Sequence, residues 1–325
     1  MSDGDPRAGD RVLVDVGIPA YGRPAYLAQA IESVLAQTLE SWQLTVSENG
    51  AGGTEVAAIV EPYLSDPRVR YVVTGRNIGG AGNSTRLIQT GRAPYVALLH
   101  DDDLWEAEFL ARRVAFLDAN PTCGLVFSSC DFIDEKGSVV YRFEVDLAEG
   151  VQNRQDFLRT LYRRNVICMP TLLVPRWCYE AVGPEFSDSL LFYDYEMWLR
   201  IAARFDFGFL NVCDAAYRIH RAQTTHDVGW NMGEHRISLL DAVERILPPG
   251  FPSLERRRAR SGALLRVALE ALERGDRRGS IVHLRRAIRQ YPVGPLDHKM
   301  ASLVIGSMRR RALQRRVWAK MSATK

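Results

Sequence analysis

The stretch YVALLHDDDLW, residues 95–105, decides the kind of fold to expect. Its first five residues are mostly apolar, as in a strand that is buried on both faces. Three consecutive aspartates follow at once: Asp101, Asp102 and Asp103. Adjacent carboxylates repel one another and raise each other's pKa unless a cation compensates them. The triplet is therefore either an acidic turn that caps the next helix or a set of ligands for a divalent cation such as Mg²⁺ or Mn²⁺.

Around this stretch, strand and helix patterns alternate along the first 130 residues. Apolar runs predict strands at 11–18, 42–47, 69–74, 95–99 and 124–129. Helical spacing of apolar residues predicts helices at about 25–38, 54–64, 84–89 and 107–119. This alternation is typical of a parallel sheet with helices on both faces, which binds ligands at the carboxyl ends of its strands. The loops PAYGRP, ENGAGG, GRNIGGAGN and HDDD follow four of these strands, so we expect one crevice and favour the metal site.

The second half of the chain becomes progressively helical. We predict helices at about 155–163 and 194–203 and strands at 171–174 and 207–212. Two helices, 264–274 and 280–290, are predicted to form a hairpin joined at GDRRG, and an amphipathic helix is predicted at about 301–321. The expected organisation is a flexible N-terminus at 1–10, an α/β domain at 11–228 and a helical C-terminal region at 229–325.

Composition and charge narrow the class of protein. The 325 residues are 46% hydrophobic and 25% charged, which is ordinary for a globular chain. No apolar run is long enough to span a membrane, and the polar start lacks the core of a secretory signal, so we expect a cytoplasmic protein. The five cysteines are an odd number without a C-x-x-C pair, which argues against zinc or disulfide frameworks.

The basic charge is concentrated at the C-terminal end. Residues 296–325 have a net charge of +7, against +3 for the whole chain. Two interpretations of the amphipathic segment 300–321 stay open. Either it makes a peripheral contact with the inner face of the membrane, or it packs on the body of the protein with its arginines solvated. Nucleic acid is not expected, because the basic cluster lacks interleaved aromatic residues.

Six motifs occur in the order VGIPAYGRP, ESVLAQT, VSENGAGG, RNIGGAGNSTRLIQTGRAPYVALLHDDDLW, FYDYEMWLRIA and YRIH. Through them, residues 11–225 resemble glycosyltransferase family 2, a family of inverting enzymes. The resemblance implies the GT-A fold, a Rossmann-like, mostly parallel sheet flanked by helices, here with a C-terminal helical extension. It departs from the family at three positions: Gly22, where asparagine is usual; Glu48, where aspartate usually contacts the nucleoside base; and His100, which replaces the first aspartate of D-x-D.

The resemblance also implies roles for the acidic residues. Asp102 would bind the metal, Asp101 would lie near the ribose or the metal's water shell, and Asp103 would cap or brace the next helix. Asp194 would be the catalytic base that takes the proton of the acceptor hydroxyl. The alternative for Asp194 is that it only caps the helix that follows it.

Further residues are predicted to contact the nucleotide-sugar donor. They are Pro19, Tyr21, Arg23, Glu48, Arg76, Asn77, Asn83 and Asp101. Two roles are open for His220 in YRIH: it contacts the metal or the phosphate, or it is a structural residue.

The resulting prediction is a metal-dependent inverting glycosyltransferase that uses Mn²⁺ or Mg²⁺. It would move a sugar from a nucleotide-diphosphate sugar, with UDP as the expected nucleotide, to a hydroxyl of a glycan, lipid-linked or natural-product acceptor. A homodimer through the helical hairpin is a further hypothesis.

Two other classes of function remain as alternatives. The first is a nucleotide-sugar-binding or sugar nucleotidyltransferase-like protein, because GGAGNSTRL is similar to GGxGTRL, although it follows the third strand rather than the first. The second is a non-catalytic module that binds membrane or nucleic acid through the basic C-terminal helix.

Overall fold

The computed structural model describes residues 11–53, 55–220 and 232–292. Its strands are β1 (Val14–Ala20), β2 (Trp42–Glu48), β3 (Val69–Val73), β4 (Tyr95–Leu98), β5 (Leu104–Trp105), β6 (Cys123–Ser128), β7 (Cys130–Ile133), β8 (Val139–Phe143), β9 (Gly150–Gln152), β10 (Val174–Pro175), β11 (Asp206–Leu210) and β12 (Ala215–Arg218). Its α-helices are α1 (Pro24–Leu35), α2 (Glu55–Val60), α3 (Gly79–Thr90), α4 (Phe109–Ala119), α5 (Arg154–Arg163), α6 (Arg176–Val182), α7 (Tyr193–Ala202), α8 (Met232–Val243), α9 (Ser253–Glu273) and α10 (Arg277–Gln290). The predictions for 1–10 and 301–321 lie outside the described residues.

The central sheet has the strand order β10-β4-β1-β2-β3. Strand β1 runs parallel to β2 and β4, and β2 runs parallel to β3, while the short β10 is antiparallel to β4. Helices α1, α2 and α3 make the crossovers between the parallel strands. The predicted parallel sheet is therefore confirmed, and the carboxyl ends of β1, β2, β3 and β4 share one edge.

Two smaller sheets complete the sheet structure. One has the order β6-β11-β9, and the other has the order β5-β12-β7-β8. Strand β5 begins directly after the three aspartates and pairs antiparallel with β12, through Ala215 opposite Trp105 and Ala216 opposite Leu104. The chain that leaves the acidic loop is thus fixed to a strand from the second half of the sequence.

The core lies where α1 covers the middle of the sheet. Alternate residues of β1 are almost fully buried, and so are the residues of α1 that recur at helical spacing. These residues are Val14, Val16, Ile18 and Ala20 on the strand and Leu27, Ala30, Ile31 and Val34 on the helix. Each large aliphatic side chain contributes about 1.5–3 kcal/mol by burial, so this contact fixes where β1 ends and its loop begins.

A buried ionic cluster joins α4 to the loop before β12. The guanidinium of Arg113, which is completely buried, donates to both carboxylate oxygens of Asp214 at 2.8 and 3.0 Å. The same side chain also donates to the hydroxyl of Ser128 and to the carbonyl of Thr171, and it stacks on the ring of Phe109. Burial by itself would raise the pKa of Asp214, but Arg113 and Arg112 lower it below its ordinary value. Both buried charges are therefore compensated.

Three elements show the main differences between the structure and the sequence predictions. Helix α9 begins at Ser253, eleven residues before the predicted start at 264. Helix α3 begins at Gly79, five residues before the predicted start, because Ala81, Asn83 and Ser84 supply a buried face that outweighs the poor helix propensity of glycine. The predicted strand at 171–174 overlaps a 3₁₀ turn, Met169–Thr171, at its first residue; Leu173 forms an isolated bridge to Val126, and pairing with β4 begins only at Val174.

Contacts divide the chain into two compact units. The described part of the first lies within Met1–Leu158, Asn165–Ser189 and Tyr193–Ile219, and that of the second within Arg159–Arg164, Leu190–Phe192 and His220–Lys325. The first unit contains the sheets.

The second unit contains the predicted helical hairpin, made of α9 and α10. Its turn is capped by Asp276, which accepts a hydrogen bond from the backbone of Gly279. The hydroxyl of Ser261 on α9 donates to the carbonyl of Ala287 on α10 at 2.9 Å, which fixes the register of the two helices. None of the helices in the described ranges is both long and apolar enough to cross a bilayer.

Candidate active site

The three aspartates lie in a tight turn at the carboxyl end of β4. The backbone of Leu99 extends the ladder to Gly17 of β1, and the amide of Asp103 donates to the carbonyl of His100 at 3.2 Å. Relative exposures of Asp101, Asp102 and Asp103 are only 2%, 4% and 0%. Buried carboxylates at this density are costly unless cations or donors face them. The partners of each aspartate therefore indicate its role.

Asp101 and Asp102 share one guanidinium from the loop after β1. A single nitrogen of Arg23 lies 3.0 Å from Oδ1 of Asp101 and 2.8 Å from Oδ2 of Asp102. The amide of Tyr21 also donates to Asp101, at 2.9 Å. Gly22 has a φ of 69°, a left-handed conformation that glycine and asparagine adopt easily, which agrees with the asparagine usual here in the resembled family. Burial raises the pKa of Asp101 to about 6, although Arg23 opposes this shift.

Asp103 has a different environment. Its Oδ1 accepts a hydrogen bond from the backbone of Arg218 in β12 at 3.0 Å, so Asp103 braces a strand, whereas α4 begins only at Phe109. Its Oδ2 is buried without a hydrogen-bond partner among the described residues. Burial raises the pKa of Asp103 well above its ordinary value, and the charge of Asp102 raises it further. A buried carboxylate oxygen without a donor calls for an explanation, and a bound cation would be one.

Within the described ranges, one group of side chains has the ligand types and spacing for a metal ion. The group consists of His100, Asp102 and Asp103, whose ligand atoms all lie within 4.8 Å of one another. Two carboxylates and an imidazole form a donor set suited to a divalent cation. The residues present therefore fit the ion that the sequence predicted.

Arg218 holds the acidic loop in place, and it is absent from the site residues predicted from the sequence. Its side chain is fully buried, and its Nε donates to the carbonyl of Asp102 at 2.9 Å. It also donates to Gln29 on α1 and stacks on the ring of Tyr26. The sequence does contain a signal for this residue, because Arg218 is the arginine of the YRIH motif, in which only the histidine is predicted to have a role. Arg218 positions the aspartates through their backbone.

At the neighbouring strand ends, the loops after β2 and β3 are tied together. The side-chain nitrogen of Asn49 donates to Asn77 at 3.1 Å, and its oxygen accepts from the amide of Ile78 at 2.8 Å. The amide of Asn49 donates to the carbonyl of Ala20 at the end of β1. Together with the contacts of Arg23, these bonds bring all four predicted loops to one edge of the sheet.

Glu48 ends β2 and is almost completely buried. Its carboxylate accepts a short hydrogen bond from the hydroxyl of Tyr71 on β3. Burial raises the pKa of Tyr71 to about 12, and the bond to Glu48 adds to the shift, so the tyrosine stays a donor. Tyr71 therefore orients the residue predicted to contact the base. Sequence alone did not select Tyr71, because it lies inside a strand with no motif around it.

The other predicted donor contacts occupy different surroundings. Pro19 is half-buried within β1, whereas Tyr21, Arg76 and Asn77 are exposed at the loop surface. Asn83 is buried, and both ends of its side chain bond to Ser47 on β2. Asn83 thus holds α3 against the sheet in this conformation.

Asp194 lies in the first turn of α7 and is half-buried. The preceding residue, Tyr193, is close to the glycine-rich start of α3, since a Cβ added to Gly80 would lie 3.1 Å from its hydroxyl. Burial raises the pKa of Tyr193 to about 12, while the charge of Arg23 opposes this. These contacts connect the start of α7 with the same edge of the sheet. Burial raises the pKa of Asp194 to about 6, although the amide of Tyr195, 2.7 Å away, counteracts this.

His220 follows β12 by two residues and is buried. It does not belong to the group of potential metal ligands found within the described ranges. Its predicted contact with metal or phosphate stays a prediction.

Comparisons with known proteins identify a matching family model, sequence relatives and solved structures of similar fold. Residues 15–168 match the family model of glycosyl transferase family 2. An uncharacterised glycosyltransferase of Methanocaldococcus jannaschii is 24% identical over 214 residues, which are 65% of this chain and 72% of the relative. Other curated relatives are matched over less than two thirds of their own length.

Two solved structures illustrate the fold. TarS 1–349 of S. aureus in complex with UDP-GlcNAc has a TM-score of 0.58 at 14% identity, covering 87% of this chain and 92% of that one. A mannosyltransferase of Pyrobaculum calidifontis in complex with GDP-Man and Mn²⁺ has a TM-score of 0.55 at 17% identity, covering 94% and 89%. The chain therefore has the GT-A fold of these solved glycosyltransferases, and its residues 15–168 match the model of glycosyl transferase family 2.

Proposed function

We propose that this protein is a metal-dependent, inverting glycosyltransferase that takes its sugar from a nucleotide-diphosphate sugar. The observation that carries the proposal is the cluster of three buried aspartates at the carboxyl edge of the parallel sheet, with Oδ2 of Asp103 left without a partner. A nucleotide diphosphate has the charge and the oxygen atoms to complete the coordination of a cation held there. UDP is the expected nucleotide, and Mn²⁺ or Mg²⁺ is the expected ion.

Asp194 is the proposed catalytic base. A sugar hydroxyl is a weak nucleophile and needs a carboxylate to accept its proton as it attacks. With a pKa of about 6, Asp194 is ionised at neutral pH and is more basic than an ordinary aspartate. That combination suits general-base catalysis near pH 7. Its position at the start of α7, near the glycine-rich end of α3, supports this role.

The reaction is a single displacement. The acceptor oxygen forms a bond to the anomeric carbon while the bond from that carbon to the diphosphate oxygen breaks. The bonding electrons leave with the nucleoside diphosphate, the hydroxyl proton passes to Asp194, and attack from the opposite face inverts the anomeric centre. A bound divalent cation would neutralise charge that develops on the leaving diphosphate.

The two ends of the site have separate proposed tasks. Glu48, which Tyr71 orients, contacts the nucleoside base. Tyr21 and Asn77 lie at the loop surface, and Arg23 lies half-buried in the crevice. Arg23 is the proposed contact for the diphosphate, because its guanidinium already lies between the carboxylates of Asp101 and Asp102. The acceptor is a hydroxyl of a glycan, a lipid-linked sugar or a natural product.

Calorimetric titration tests the proposal. UDP, dTDP and GDP are titrated separately into the full chain, with Mn²⁺ and with EDTA, using wild type, Asp102→Ala and the surface control Asp118→Ala. We expect one diphosphate to bind only with metal, and we expect Asp102→Ala alone to abolish that binding. If none of the nucleotides binds wild type in either condition, the proposal is wrong. A screen of sugar donors by release of the matching diphosphate then identifies the sugar.

A further inference from the structure

A histidine lies next to the three aspartates, and it would add a nitrogen ligand to a cation site that otherwise has only oxygen ligands. His100 occupies the place where the resembled family has the first aspartate of D-x-D, and its side chain keeps 26% of its exposure. Among the described residues, its imidazole has no hydrogen-bond partner, because the nearest carboxylate oxygen, Oδ2 of Asp103, is 3.8 Å from Nδ1. That distance is too long for a hydrogen bond.

We propose that His100 binds the divalent cation through a ring nitrogen, together with Asp102 and Asp103, and that this nitrogen ligand makes the site prefer Mn²⁺ to Mg²⁺. The proposal rests on the proposed function in taking this cluster as the cation site of the transferase. It adds the ligand set and the choice of ion, and it assigns the histidine role to His100 instead of His220.

The orphaned oxygen of Asp103 supports this assignment. The side chain is completely buried, and only Oδ1 is engaged, by the backbone of Arg218. Oδ2 lies against the imidazole, with no hydrogen-bond donor facing it from the described residues. A buried carboxylate oxygen in such a place carries a desolvation cost that a cation between it and the imidazole would offset.

The spacing of the ligand atoms fits a single ion. Ligands bound to one small divalent cation lie about 2.0–2.2 Å from it, so two of them are at most roughly 4.4 Å apart. The 3.8 Å between Nδ1 of His100 and Oδ2 of Asp103 falls inside this span, whereas the limit for the whole group, 4.8 Å, is slightly wider than the span. A slight movement of the partly exposed His100 is enough to close the set, whereas Asp102 and Asp103 are held by the fully buried Arg218.

The chemical preference follows from the donor types. Mg²⁺ selects oxygen ligands and near-ideal octahedral geometry. An imidazole nitrogen favours first-row transition ions, and Mn²⁺ still accepts the two carboxylates and the diphosphate oxygens that the site provides. Replacing the nitrogen with a third carboxylate therefore reduces the preference for Mn²⁺.

Pulsed electron paramagnetic resonance of Mn²⁺ bound to the full-length protein tests this directly, because it detects a ligating ¹⁴N nucleus without any catalytic turnover. Spectra are recorded with and without UDP for wild type, His100→Asp and the matched control His220→Asn. Competition between Mn²⁺ and Mg²⁺ is measured on the same proteins. His100→Asp places a third carboxylate at a partly exposed position, and circular dichroism checks that the variant is folded.

We expect a ¹⁴N signal in wild type and His220→Asn but not in His100→Asp, with the Mn²⁺-over-Mg²⁺ preference of His100→Asp reduced at least about tenfold. A wild-type complex that binds Mn²⁺ without a ¹⁴N signal, or a signal that survives in His100→Asp, overturns the inference and leaves the proposed function standing. If wild type binds no Mn²⁺ with or without UDP, both proposals are wrong.

Discussion

Two buried acidic sites in the first unit differ in how their charge is compensated. At the Arg113–Asp214 cluster, both carboxylate oxygens accept bonds from a fully buried guanidinium, and the pKa of Asp214 lies below its ordinary value. At the loop after β4, Asp101 and Asp102 share one bridging nitrogen of Arg23, while Oδ2 of Asp103 has no hydrogen-bond partner among the described residues and the pKa of Asp103 lies above its ordinary value.

Under the proposed function, this difference is one between a charge that stabilises the fold and a charge that binds a ligand. A carboxylate with complete hydrogen bonding stabilises the native state while it is ionised, and its removal leaves an unpaired buried partner. A buried carboxylate with an unpartnered oxygen destabilises the ligand-free protein, and it stabilises the native state only when a cation binds. Burial alone does not distinguish the two, since Asp214 and Asp103 are both almost fully buried.

The largest expected effect is on catalysis at the incompletely compensated cluster. Asp102→Asn removes a proposed metal ligand, and we expect transferase activity to fall about 10³-fold or more, because metal stabilisation of the leaving group amounts to several kcal/mol. The unfolding free energy should stay unchanged or rise. Initial rates and urea unfolding are compared with Asp118→Asn, an exposed carboxylate outside both clusters. A large loss of stability in Asp102→Asn contradicts the comparison.

Asp214→Asn should have the opposite profile. Loss of one partner of a buried ion pair costs about 3–5 kcal/mol, which urea unfolding at pH 7 measures. Because the folded-state pKa is depressed, Asp214 stabilises the protein above the ordinary aspartate pKa of 3.8 and loses this contribution as the pH falls through the lowered value. The gap between variant and wild type should therefore narrow in acid. A gap that does not change with pH contradicts the assignment.

Asp194 lies between these extremes, because its carboxylate has backbone donors but, among the described residues, no ion pair. If it is the base, kcat/KM should fall about tenfold per pH unit below pH 6, because the pKa of Asp194 in the ligand-free protein is about 6 and the protonated form cannot accept the proton. Asp194→Asn should reduce kcat by about 10²–10⁴-fold and abolish this dependence. A variant that retains the acid limb of the profile shows that another group is the base.

Asp103→Asn should have a smaller effect on the metal-free protein. Because the folded-state pKa of Asp103 is raised, its ionisation destabilises the native state; this cost sets in as the pH rises above the ordinary aspartate pKa of 3.8 and is complete above the folded-state value. We expect the variant to match or exceed wild type by about 1 kcal/mol at pH 8, with less difference at pH 5. Thermal unfolding in EDTA measures this, and added Mn²⁺ should then stabilise wild type more than the variant. Destabilisation as large as that of Asp214→Asn makes the contrast between the clusters untenable.

The smallest expected effect is at the base end of the site. Tyr71→Phe removes the hydroxyl that orients Glu48, and we expect the donor KM to rise roughly two- to tenfold with little change in kcat, in line with one hydrogen bond. Initial rates over a range of donor concentrations measure both constants. A change in kcat alone would indicate that Glu48 acts in the chemical step.

The sequence predicted the parallel sheet and the convergence of its loops because these depend on local periodicity and on a general rule for strand ends. It did not predict the pairing of Asp214 with Arg113 or of Asp103 with Arg218, which join residues about a hundred positions apart. Helix α3 was predicted to start too late because glycine propensity is local, while the packing of Asn83 on Ser47 is tertiary.

The contact between Arg218 and the acidic loop also sets an order of assembly. The loop leaves the ribosome early, but the strand that braces it lies 115 residues further along the chain. A nascent chain that ends before β12 thus carries the three aspartates without the guanidinium that shapes their backbone. The proposed cation site would therefore be complete only late in synthesis, after the sheet edge has formed, and a polypeptide truncated before Arg218 would lack the residue that holds the acidic loop.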